Sequence, residues 1–163
     1  MTNSLYDQLQ QSRFSVALLR DVALPIALGH DHANLEYWLG KQMARQLPVS
    51  NEEQLPIFTE QAEFGTLAIH HTRRKTITAT LTGDIVASRL AAATPPSFAL
   101  ETGWLAQEWQ MLTNIFTEGT YSVQKGTVLI TLHQDAKEPV LTAEQAQADA
   151  ITPLQSSMES PKK

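Results

Sequence analysis

The sequence predicts an α+β fold. N-terminal helices and one long helix pack on a twisted antiparallel sheet, in the rough order ααα-βββ-α-ββ. Apolar residues recur at helical spacing as far as Leu47, and the period then falls to two between Gly65 and Thr82. A long apolar segment, Ser97 to Phe116, separates those strands from a closing hairpin. Runs of helix, strand, helix and strand that stay segregated in this way point to helices gathered on one face of an antiparallel sheet.

The first helix spans residues 3–28 with a break. Ser15 is its candidate N-cap, and Val16, Ala17, Leu18, Leu19 and Val22 form an apolar stripe. Pro25 cannot donate the i→i−4 bond, so a kink or an end is expected there, with Gly29 capping a last turn through Leu28. In "HDHANLEYWLGKQMARQLP", Leu35, Leu39, Met43 and Leu47 fall four residues apart beside Trp38, and Asp31 or Asn34 is placed to cap. Ser50 followed by Glu53 is a capping-box pattern for a third, short helix.

Strands follow. In "KTITATLTG" Ile77, Ala79 and Leu81 alternate with Thr76, Thr78, Thr80 and Thr82, the pattern of a strand with one buried face. "GTLAIHH" pairs with it across a turn at Thr72-Arg73-Arg74. "DIVASRLAAA" is read as a third strand, although its alanines blur the period. Thr94-Pro95-Pro96 punctuates the chain before the long helix. "TYSVQKG" and "TVLITLHQD" form a hairpin around Lys125-Gly126. One domain is expected over residues 1–135. Residues 136–163, rich in Ala, Gln, Ser and Pro without aromatics, are expected to be a largely disordered tail.

Composition narrows function. A chain of 163 residues with 42% hydrophobic and 18% charged residues can bury a core. A net charge of −5 speaks against nucleic acid or an anionic membrane as partner. The absence of cysteine removes disulfides, thiolate metal sites and cysteine nucleophiles. The first residues lack a basic region followed by an apolar run, and Arg20, Asp21 and Pro25 interrupt the longest apolar stretch. Neither a signal peptide nor a membrane span is expected, and the expected location is cytoplasmic. Phosphate-binding glycine loops and the G-x-S-x-G elbow are missing, so no catalytic residue is assigned.

On a helical wheel the long helix carries two apolar stripes. Phe98, Leu105, Trp109, Leu112 and Phe116 form one, and Trp104, Met111 and Ile115 the other. Glu101 and Glu108 fall between them, about two turns or roughly 10 Å apart at the backbone. That separation is awkward for a single metal ion. Glu101 is read as a charged anchor in the first turn, paired with Arg20 from the apolar context "LLRD". Trp38, Trp104, Leu105, Trp109 and Phe116 are the candidate walls of an apolar pocket between helices and sheet. His30 and His32 in "GHDHA" suggest a metal-dependent hydrolase only weakly, because a full ligand set is lacking. The adjacent His70 and His71 point to opposite faces of a strand. No metal and no cofactor is expected.

The blocks "LLRDVALPIALG", "LEYWLGKQMARQLP", "FALETGWLAQEWQ" and "GTVLITLHQD" resemble, in order and spacing, the YslB-like family of uncharacterised bacterial proteins. The resemblance covers about residues 14 to 135. That family is similar to the 4-vinyl-reductase, TRAPP and haem-nitric-oxide-binding superfamily, and the resemblance implies their α+β ligand-binding fold. It also implies a ligand-binding or assembly module rather than a defined enzyme. The cysteine of the TRAPP acyl site has no counterpart here, nor does the haem clamp. Gly103, inside the matching "LETGWLAQ", could let a neighbouring backbone approach closely. The expected function is a small-molecule-binding or regulatory module for an apolar ligand. The alternative is an interaction or scaffold module that homodimerises through its N-terminal helices.

Overall fold

The period-two stretch around Thr76–Thr82 forms the strand it predicts, with Ile77, Ala79 and Leu81 buried and the threonines turned the other way. The computed structural model describes residues 13–71, 76–138 and 140. Residues 3–12, the turn at 72–75 and residues 141–163 of the tail, on which expectations were placed, lie outside the described residues.

The N-terminal helix consists of α1 (Phe14–Ala17), a π-helical segment (Leu18–Ala23) and α2 (Leu24–Leu28). Pro25 does not end it. The π-turn carries the Leu24 N–H to the Leu19 carbonyl. Pro25 then falls in the first turn of α2, where its missing N–H costs nothing. The N-cap of α1 is Arg13 and Ser15 lies inside the helix, so the Ser15 cap is not formed. A 3₁₀ turn (Gly29–Asp31) leads into α3 (His32–Gln46). The next helix, α4 (Gln54–Gln61), begins after the proposed capping box and has no side-chain cap at Glu53. Asn51 instead accepts the Gln54 N–H at 3.2 Å.

Strands β1 (Thr66–His71) and β2 (Thr76–Thr82) pair antiparallel, Leu67 opposite Leu81 and Ile69 opposite Ala79. The expected third strand is a helix, α5 (Asp84–Leu90). Gly83, at φ 104°, turns the chain out of β2 with a backbone that other residues adopt only under strain. Val86 and Arg89, three residues apart, then make its buried face, a helical period that the flanking alanines masked. After α6 (Ala99–Thr113), strands β3 (Phe116–Gln124) and β4 (Thr127–Asp135) close the sheet in the order β1-β2-β4-β3. Asn114 ends α6 in a left-handed conformation, so Phe116 opens β3 instead of closing the helix.

Helix α6 is the centre of the molecule. Every residue from Ala99 to Gln110 is buried, including the polar Thr102 and Gln110. The sheet covers one side and α3 the other, so α6 has no solvent face along most of its length. Its polar groups turn inward to bonds: Thr102 Oγ1 donates to the Phe98 carbonyl at 2.7 Å, and Gln110 Oε1 accepts the Thr117 N–H at 3.2 Å.

The α3–α6 contact reverses the expected orientation of α3. Its buried residues are Glu36, Gly40, Lys41 and Ala44, whereas Leu35, Trp38, Leu39 and Leu47 are exposed. A Cβ on Gly40 would run into the Leu100 carbonyl, and one on Gly103 into the Tyr37 carbonyl. Backbone meets backbone at this crossing, so small residues must face inward there and the leucines are left outside.

Candidate functional site

Arg20 sits in the π-helical segment, Arg89 in α5 and Glu101 in the first turn of α6. Arg20 Nη1 lies 2.8 Å and Arg89 Nη1 3.0 Å from the same Glu101 oxygen, Oε1. Arg89 also donates through Nε and Nη2 to Asp21, at 2.7–3.2 Å, and through Nη2 to the Ser97 carbonyl at 2.8 Å. Five fixed partners thus meet at one corner, from the N-terminal helix, α5, the loop before α6, and α6 itself. Burial alone would raise the Glu101 pKa, but the charges of Arg20 and Arg89 outweigh it and hold the carboxylate below its ordinary range. Burial acts on Arg89 in the opposite sense, and Glu101 and Asp21 overcome it, so both arginine and acid stay ionised.

A second polar pair stands beside this corner. His32 Nδ1 lies 2.8 Å from Glu36 Oε1, one turn along α3, and Glu36 is 1% exposed. Between the two groups opens a cavity of about 310 Å³. Its walls are Ala17 to Ile26 of the N-terminal helix, His32 and Glu36 of α3, and the stretch from Ser88 to Ser97. Arg20, Asp21, Arg89, His32 and Glu36 supply its polar groups, while Val22, Pro25, Ile26, Pro95 and Pro96 supply apolar surface. Mostly apolar walls with a few fixed polar groups, in a volume of this order, are the usual make-up of a small-molecule site. The π-helical turn contributes Arg20, Asp21 and Val22 to it, and such turns occur often at functional sites.

The residues read as pocket walls from the sequence are dispersed. Trp104 and Leu105 are each 1% exposed in the core, and Trp104 stacks on Phe58 with ring centroids 4.7 Å apart. Trp109 is buried beside His71. None of these three lines the 310 Å³ cavity. Trp38 is 54% exposed on the outer face of α3. Trp38 and Phe116 do come together, with Tyr37, around the Lys41 ammonium, which lies 5.2–5.6 Å from the three ring centroids. Lys41 pairs with Glu118 at 2.8 Å, and the Tyr37 hydroxyl donates to the same carboxylate at 2.8 Å. This cluster pins α3 to β3. Burial foremost raises the Tyr37 pKa, so its phenol stays protonated.

Glu108 is separate from the Arg20–Glu101 corner. It accepts the Val49 N–H at 3.1 Å, while among the described residues Oε1 has no hydrogen bond. Burial pushes its pKa up to about 8, against the smaller lowering by the Val49 N–H and the Trp104 indole. Glu101 and Glu108 therefore serve different neighbours and form no dyad. His30, His70 and His133 are exposed, and among the described residues no three His, Asp or Glu side chains group to hold a metal ion. No helix among them is long and apolar enough to cross a membrane.

Sequence reasoning missed Asp21, Glu36, Arg89 and Ser97. Asp21 adjoins the recognised Arg20, and Arg89 shares the helical spacing of Val86, which was the available signal.

A family model described as "Protein of unknown function (DUF2507)" matches residues 13–133. The Bacillus subtilis (strain 168) protein titled "Uncharacterized protein YslB" is 32% identical over 135 residues, covering 82% of this chain and 91% of that protein. A crystal structure of a vinyl-4-reductase family protein from Methanocaldococcus jannaschii is similar in fold. Its TM-score is 0.51 at 12% identity, over 83% of this chain and 98% of the other.

Proposed function

This chain belongs to the DUF2507 family of proteins of unknown function, and on that premise we propose that it is a small-molecule-binding module. The ligand occupies the cavity between the N-terminal helix, the start of α3 and the Ser88–Ser97 stretch, not the aromatic side of α6. The observation that carries this reading is a polar corner of fixed geometry beneath apolar walls in one cavity of about 310 Å³. Arg89, held on Glu101, Asp21 and the Ser97 carbonyl, keeps its place when a ligand arrives, which lowers the cost of ordering this side of the cavity. The vinyl-4-reductase family likeness supports the fold on which such a module is built. A fragment screen followed by amide NMR tests it. Shifts confined to Ala17–Ile26, His32–Glu36 and Ser88–Ser97 are expected, and a screen whose binders all perturb other surfaces would refute it.

A second reading is association of two copies through α3. It is supported by Leu35, Trp38 and Leu39, which share one exposed face at 43%, 54% and 38%. Leu19 and Ile26, exposed at 63% and 78%, extend the apolar surface on the N-terminal helix. Exposed apolar faces of this kind mark interaction surfaces, and a self-complementary one suits a two-fold pair. Sedimentation of the protein and of a Leu35→Lys, Leu39→Lys variant separates the outcomes. A dimer converted to monomer supports the pairing, and a wild type that is monomeric at high concentration refutes it.

A further inference from the structure

Among the described residues, three atoms of side chains lining the cavity are cut off from water and have no hydrogen-bond partner: Arg20 Nε, Arg20 Nη2 and Glu36 Oε2. The two arginine atoms form the side-on fork of one guanidinium, whose third nitrogen is already spent on Glu101. Buried donors and acceptors are almost always matched, so an unmatched donor fork and an unmatched acceptor around one cavity call for a partner that offers both complements. The arginine charges, by contrast, are already matched. Arg20 and Arg89 stand against Glu101 and Asp21, while Glu36 Oε1 shares a hydrogen bond with His32 Nδ1. An anion would lose its hydration here to meet arginines that are already paired, and a cation would meet Glu36 with Arg20 close by.

Resting on the binding reading above, we propose that the cavity takes an uncharged molecule bearing a planar amide on an apolar ring or short chain. On binding, Arg20 and Glu36 turn toward the cavity. The amide oxygen accepts from Arg20 Nε and Nη2, and the amide N–H donates to Glu36 Oε2. The apolar body lies against Val22, Pro25, Pro95 and Pro96. A carboxylate would satisfy the Arg20 fork but set its charge against Glu36, and an ammonium group would do the reverse. One amide meets both.

The test compares benzamide, benzoate and benzylammonium as probes of the full chain, read by amide and arginine Nε–H NMR signals. Benzamide is expected to shift the Arg20 Nε–H together with the Val22 and Ser97 amides, binding at least about tenfold more tightly than the two ions. Glu36→Gln keeps the side-chain volume but presents no carboxylate to the amide N–H, and is expected to weaken benzamide about fivefold while leaving benzoate no weaker. Benzoate or benzylammonium binding the same wall as tightly as benzamide would overturn the amide assignment and leave the small-molecule reading standing. Equal benzamide affinity in the Glu36→Gln protein would also overturn it. Failure of all three probes to perturb this wall would remove both.

Discussion

The guanidinium groups of Arg20 and Arg89 converge on a single oxygen, Glu101 Oε1, at 2.8 and 3.0 Å. Arg89 is the hub of the pair, because it alone also holds Asp21 and the Ser97 carbonyl. Replacing it leaves Glu101, 1% exposed, with half of its compensation. Arg89→Met is expected to cost about 3–5 kcal/mol in urea denaturation. The double change Arg89→Met, Glu101→Leu should cost less than the two single changes summed, since it removes the stranded charge with its partner. Strict additivity would mean the two residues are not coupled.

Glu108 sets a pH dependence of the opposite sign to that of an ion-paired acid. Its folded pKa of about 8 lies above the ordinary value of 4.5, so between these the folded protein binds more protons than the unfolded chain. Stability therefore falls as pH rises through this window, by an amount on the order of 3 kcal/mol between pH 5 and pH 8. Glu101, with its lowered pKa, acts the other way, and its contribution is lost as acid protonates it. Glu108→Gln keeps an acceptor for the Val49 N–H and should flatten the fall above pH 5. A variant whose stability declines as steeply as the wild type would show that Glu108 is not its source.

Lys41 and Glu118 form an unequal pair. The Lys41 side chain is 3% exposed among three aromatic rings, whereas that of Glu118 is 44% exposed. Removing the acid strands a buried ammonium, and removing the base leaves a carboxylate that water can solvate. Glu118→Ala is accordingly expected to cost about 2–4 kcal/mol and Lys41→Met about 1 kcal/mol. Thermal denaturation of the two variants side by side checks the order. The reverse order would contradict this account.

At the α3–α6 crossing, Gly103→Ala places a methyl group against the Tyr37 main chain, and Gly40→Ala places one against Leu100. Backbone cannot rotate out of the way as a side chain can. Each change is expected to cost at least about 3 kcal/mol, or to prevent folding. Ala106→Gly, in the same helix and equally buried, should cost only about 1 kcal/mol and serves as the comparison in the same denaturation series.

Legibility in the sequence followed the range of the interaction. The threonine alternation of β2 needs only neighbours along the chain, and the Arg20–Glu101 pairing needed only two charges that had to be buried somewhere. The α3 helix was legible but its orientation was not. Greasy residues are assumed to face inward, and the intimate contact with α6 inverted that choice at Leu35, Trp38 and Leu39. Gly103 hinted at such a contact, but its partner Gly40 had no signal of its own. The cavity was invisible because its walls come from stretches around residues 17–26, 32–36 and 88–97. Residues 84–93, which include the start of the last stretch, read from the sequence as a strand, and a strand would point Arg89 elsewhere.

The two glycines of the crossing also constrain descent. A larger residue at position 40 collides with atoms of Leu100 that every amino acid possesses, and one at 103 collides with equally invariant atoms of Tyr37. No compensating substitution opposite can make room, because main chain has no smaller form. Lineages in this family are thus expected to keep glycine at both sites, or to abandon both by spreading the helices apart, while the leucines of the outer face drift freely unless a partner holds them.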